Sequence, residues 1–65
     1  EDLTAAHSNI AMGTIIFIEN PDNGKGIYVR INDRISSNGL KLSEGAWQAL
    51  SFSSSSPRVK IYQDQ

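Results

Sequence analysis

Thr14-Ile15-Ile16-Phe17-Ile18-Glu19-Asn20-Pro21-Asp22-Asn23-Gly24-Lys25-Gly26-Ile27-Tyr28-Val29-Arg30-Ile31-Asn32 holds two β-branched and aromatic runs on either side of a cluster of turn residues. That is the composition of a β-hairpin, with residues 14–19 as one strand and 27–32 as the other. Asn23-Gly24 supplies the positive φ angles that a tight turn needs, and Gly24 and Gly26 serve that turn. In the second run Ile27, Val29 and Ile31 fall on one face, and Tyr28, Arg30 and Asn32 on the other. The first face therefore packs on a core and the second meets water. The first run is apolar on both faces from Ile15 to Ile18, which predicts an interior strand.

Outward from the hairpin, Asp33 to Gly39 lacks periodicity and reads as a loop. Leu42 to Leu50 reads as a short helix. Ser43 is its N-cap, accepting from an amide of the first turn, and Glu44 sits where the helix dipole favours negative charge. Leu42 and Trp47 have the spacing of a hydrophobic staple. Gly45 weakens the helix by about 1 kcal/mol, which limits it to two turns. Ser53 to Ser56 reads as a mobile, low-complexity linker. Arg58-Val59-Lys60-Ile61-Tyr62 alternates as a last strand. The expectation is a mostly β fold with one short helix and no internal repeat.

At 65 residues the chain is one domain at most, residues 1–65. A chain of this size buries roughly 60% of the surface its unfolded form exposes, so its core is small. It has no cysteine, hence no disulfide and no thiolate metal site, and its single histidine cannot make a zinc site alone. Six Lys+Arg stand against seven Asp+Glu, and the cations are spread singly along the chain. No basic patch marks a nucleic-acid surface. The longest apolar run, Ile15 to Ile18, is too short for a membrane span, and no signal peptide is visible. A mature secreted protein looks the same.

Three stretches together resemble one family. Leu3-Thr4-Ala5-Ala6-His7 is similar to its "TAAH" segment. Gly13-Thr14, Asn20, Asn23-Gly24 and Val29-Arg30-Ile31-Asn32-Asp33-Arg34 are similar to its hairpin and "VRINDR" core. Leu40-Lys41-Leu42-Ser43 with Ala46, Ala49 and Leu50 is similar to its "DLS" helix start. By these residues, covering about 3 to 62, the chain resembles the rare lipoprotein A-like double-psi β-barrel, a fold shared with expansins and barwin-like proteins.

The resemblance implies a six-stranded barrel with a glycan-binding groove, acting on peptidoglycan or a related polysaccharide outside the cytoplasm, in the periplasm, envelope or medium. It implies no cofactor. His7 matches the family's groove histidine and Asp33 its groove aspartate, so these two are the expected catalytic pair. Asn32, Arg34 and Tyr28 are the expected sugar-binding residues. The family's groove glutamate lies upstream of "TAAH", and Glu1 is too close to His7 to be its counterpart. The expectation is therefore a front-truncated barrel, completed by further residues or by a second copy in a homo-oligomer. Two departures stand out. Ile35-Ser36-Ser37 replaces the family's Gly-Pro-Phe after the aspartate, and Lys41, a solvated charge in the plain reading, replaces the aspartate of "DLS".

Lytic transglycosylation suits a single acid/base, because the substrate's own hydroxyl attacks and no second carboxylate need activate water. Asp33, at a strand end, is placed for that work. An acid role at neutral pH requires a carboxyl that keeps its proton through burial or a nearby carboxylate, and Arg34 alongside acts the other way. The plainer role for Asp33 is a turn residue paired with Arg34. For His7 it is a buried ring bonded to backbone. For Tyr28, Tyr62 and Trp47 it is ordinary strand and staple packing. Three functions follow: a wall-glycan-cleaving enzyme, a non-catalytic glycan-binding module on the same groove, or a barrel kept for structure alone.

Overall fold

The computed structural model describes residues 3–53 and 57–63. The element order is β1 (Thr4–His7), β2 (Ile15–Asn20), β3 (Lys25–Arg34), β4 (Leu40–Leu42), α1 (Glu44–Leu50) and β5 (Lys60–Gln63). The fold is mostly β with one short helix, as expected. The five strands form one open, curled sheet in the order β4-β1-β3-β2-β5. The expected linker falls largely on residues 54–56, which lie outside the described ones.

The hairpin is where the sequence puts it. Ile16 pairs with Val29 and Ile18 with Ile27, antiparallel, and β2 is interior, with β5 on its other side. The turn differs from the tight one expected. Four residues separate Asn20 from Lys25, and only Gly24 takes a positive φ, of 76°. A four-residue loop is built on an ordinary turn closed by one left-handed residue, so Asn23 is free for another task. Gly26 belongs to β3 rather than to the turn. Its φ is ordinary, and a Cβ there would overlap the Phe17 ring, which lies across it.

Two strands go unread in the sequence. β1 is four residues, two of them alanine, and β4 is three. Neither is long or β-branched enough to signal itself, and each forms because a neighbour offers pairing. β1 runs parallel to β3, and β4 runs antiparallel to β1. β3 also extends past Asn32 to Arg34, into residues expected in a loop.

The core lies on one face of the sheet, under α1. Ile16, Ile18, Val29 and Ile31 from the hairpin meet Ala46 and Leu50 of the helix. Ser43 caps α1 as its sequence position predicts, its hydroxyl accepting from the Ala46 amide at 3.2 Å. The same oxygen accepts from the Thr4 amide at 3.2 Å, and Ser43 N–H donates to the Thr4 carbonyl at 2.9 Å. One residue thus ties the start of β1 to the start of the helix. Leu42 and Trp47, the expected staple pair, line one apolar depression with Phe52, whose ring centroid is 4.7 Å from that of Trp47.

Candidate functional site

The site begins with an irregularity in register. Ala5 faces Ile31 but Ala6 faces Asp33, so Asn32 is an extra residue, a β-bulge. Strict alternation would send Asp33 to the core side with Ile31. The bulge moves it to the outer face beside Ala6, which is how such irregularities re-aim side chains near sites. Ala6 in turn faces Lys41 on β4. Asp33, Ala6 and Lys41 therefore form a row across three strands on the outer face, with the smallest side chain in the middle.

Two shallow depressions lie side by side on this face and share lining residues. One is lined by Thr4, Ala6, Asn32, Asp33, Arg34 and Lys41. The other is lined by Leu3, Thr4, Ile15, Tyr28, Arg30 and Asn32. Thr4 and Asn32 border both, so the pair reads as one trough from Tyr28 to Lys41. Tyr28 is 66% exposed and edges onto Phe17, ring centroids 5.0 Å apart. Phe17 continues to Tyr62 at 6.0 Å, giving an aromatic row over three strands at the trough's far side.

Of the expected residues, Tyr28, Asn32, Asp33 and Arg34 line this trough. His7 lies on the neighbouring strand, in register with Arg34 and one position from Asp33. Its Nδ1 accepts from the amides of Asn9 at 3.1 Å and Ile10 at 3.2 Å. Among the described residues no hydrogen bond or ion pair joins His7 to Asp33. Asp33 Oδ1 accepts the Arg34 backbone N–H at 2.8 Å. The Arg34 guanidinium goes elsewhere, to the carbonyls of Ile10 at 2.6 Å and His7 at 3.3 Å. The expected side-chain pairing of Asp33 with Arg34 is thus replaced by a backbone contact, and the carboxylate is exposed.

Lys41 is the trough residue that composition and periodicity miss. The alternation Leu40-Lys41-Leu42 is its signal, but three residues are too few to be read as a strand without the partner. Among the described residues no set of three or more His, Cys, Asp or Glu side chains is placed to hold a metal, and no helix is long and apolar enough to cross a membrane.

No family model matches the chain, and no solved structure matches it significantly. Two curated proteins match, both called probable endolytic peptidoglycan transglycosylase RlpA. The one from Treponema pallidum is 55% identical over 31 residues, 48% of this chain and 10% of that protein. The one from Synechocystis sp. is 43% identical over 56 residues, 82% of this chain and 17% of that protein. The chain spans about a tenth to a sixth of the length of these relatives.

Proposed function

We propose, on the premise that this chain is a rare lipoprotein A-like double-psi β-barrel sequence, that its outer-face trough binds peptidoglycan glycan strands in the cell envelope and that Asp33 is its acid/base. The observation that carries this reading is the bulge at Asn32, which puts an exposed carboxylate in a trough that also holds Tyr28, Arg30 and Asn32. An aromatic edge for the sugar face, amide and guanidinium donors for hydroxyls, and one free carboxyl are the groups a glycan site uses.

In the cleaving form of the reaction the Asp33 carboxyl gives its proton to the glycosidic oxygen as the bond to the anomeric carbon breaks. The same sugar's own hydroxyl then closes on that carbon and returns its proton to the carboxylate. No water is consumed, and one carboxyl serves both steps. His7 is assigned the supporting role: its Nδ1 accepts backbone amides, which leaves Nε2 as the nitrogen that can donate to sugar. Asp33→Asn is expected to abolish formation of anhydro-sugar ends from sacculi while sacculus binding persists. His7→Ala should weaken both. Full cleavage by Asp33→Asn removes the acid/base role.

A binding-only module is the second reading, and a particular observation favours it. Lys41 stands where the family carries an aspartate, and it lines the Asp33 trough. The trough edge there offers a donor for sugar hydroxyls and lacks the carboxylate of the family pattern. Sacculus pull-down without anhydro ends in the unaltered protein selects this reading. Loss of both leaves the barrel as a structural element.

A further inference from the structure

Arg34 closes β3 where the chain between β1 and β2 crosses the sheet end. Residues 8–14 leave β1 beside Arg34 and return opposite Ile31, where Gly13 N–H donates to the Ile31 carbonyl at 2.7 Å. Ile10, midway, is buried in the core. The Arg34 guanidinium holds this crossing from the carbonyl side, Nη1 donating to Ile10 at 2.6 Å and His7 at 3.3 Å. The His7 ring holds it from the amide side, Nδ1 accepting from Asn9 and Ile10. Arginine and histidine therefore grip the same short turn, and Ile10 is held by both.

An imidazole nitrogen that accepts backbone N–H groups carries no proton, since those donors are fixed, so the proton of the neutral ring sits on Nε2. We propose that Arg34 is a positioning residue. By bracing the 7–10 turn it holds His7 as the Nε2–H tautomer, a donor at the end of β1, and it leaves the Asp33 carboxylate without a guanidinium partner. The value of this for chemistry rests on the glycan reading; the brace itself does not.

His7 is the chain's one histidine, so the imidazole ¹⁵N spectrum reports a single ring. The unaltered protein should show a protonated Nε2 and an acceptor-type Nδ1. Arg34→Met keeps length but loses the donors. It should bring in the Nδ1–H tautomer and speed amide exchange at Asn9 and Ile10 by about fivefold to tenfold. Arg34→Lys should recover part of both, and Asp33→Asn should change neither. An Nδ1–H ring in the unaltered protein overturns the proposal. So does a wild-type ring spectrum and exchange pattern in folded Arg34→Met. Should Arg34→Met not fold, the unaltered protein still tests the tautomer and Arg34→Lys tests the coupling. With the Nε2–H ring confirmed, absence of sacculus binding refutes the glycan reading alone. Where cleavage is present, Arg34→Met should lower kcat and weaken sacculus binding together, as His7→Ala does.

Discussion

Asn20 occupies a core position. It follows Ile16 and Ile18 on the inner face of β2 and is 2% exposed. Its amide donates to the Leu50 carbonyl at 2.9 Å, and its Oδ1 accepts from the Asp22 amide at 3.0 Å. Asn23 adds donors to Leu50 at 3.1 Å and Ser51 at 3.4 Å. The hairpin turn thereby supplies the hydrogen bonds that the carbonyls ending α1 lack within the helix. Replacing Asn20 with Leu leaves the part-buried Asp22 amide without its acceptor and the Leu50 carbonyl with one donor fewer. A loss of about 2 kcal/mol is expected, read from the urea midpoint. Asn23→Ala, more exposed and sharing its acceptor, should cost less. Ser51 takes φ 53°, the left-handed conformation that glycine adopts freely at a helix end. Ser51→Gly should raise stability by about 0.5 to 1 kcal/mol in the same assay. Both asparagines read from sequence as turn formers, because their second role depends on where a helix some thirty residues later comes to an end.

At the scale of elements, the hairpin and the helix were legible because each carries its own signal over a full period: alternation in 27–31, cap and staple in 42–47. β1 and β4 were not, since a four- and a three-residue strand hold too few repeats and draw their stability from partners. The bulge at Asn32 leaves no mark in the alternation for the same reason, so the direction of Asp33 could be matched to a family but not worked out from the pattern of its neighbours. β5 shows how an edge strand is held from outside. All four of its residues are exposed, and Tyr62 crosses to Glu19 on β2, its hydroxyl donating to Oε1 at 3.1 Å. That bond raises the phenol above its ordinary value, with desolvation and the Glu19 charge adding in the same direction. A raised phenol favours the neutral form in the folded state, so its stabilisation is complete below the unfolded value of 10.0 and fades as pH climbs through the folded one. Tyr62→Phe should remove that alkaline fading, and phenolate absorbance should then show Tyr28 alone. A phenolate titration at or below the ordinary tyrosine range for Tyr62 would show the Glu19 bond is not made in solution.

The whole molecule divides its tasks between the two faces of one sheet. The inner face holds the buried aliphatics against α1, and the outer face holds the trough and the aromatic row. Along β3 the division runs residue by residue: Ile31 is fully buried, and Asp33, two positions on, is exposed because the bulge turns it outward. A core this small leaves little reserve, since a single core below about 70 residues rarely supplies more than about 3 to 5 kcal/mol. Truncating one fully buried isoleucine costs about 2 to 5 kcal/mol. Ile31→Ala should therefore leave the chain largely unfolded at 25 °C by circular dichroism. Ile15→Ala removes the same atoms from an outer-face position that is 44% exposed, and should cost under about 1 kcal/mol. Asp33→Asn, also outward, should stay within about 0.5 kcal/mol of the unaltered chain. The three variants together test the division itself. If Asp33→Asn unfolds the chain as Ile31→Ala does, the carboxylate is part of what holds the sheet, and loss of cleavage in that variant would say nothing about chemistry. If it melts with the unaltered chain, any change on sacculi belongs to the trough.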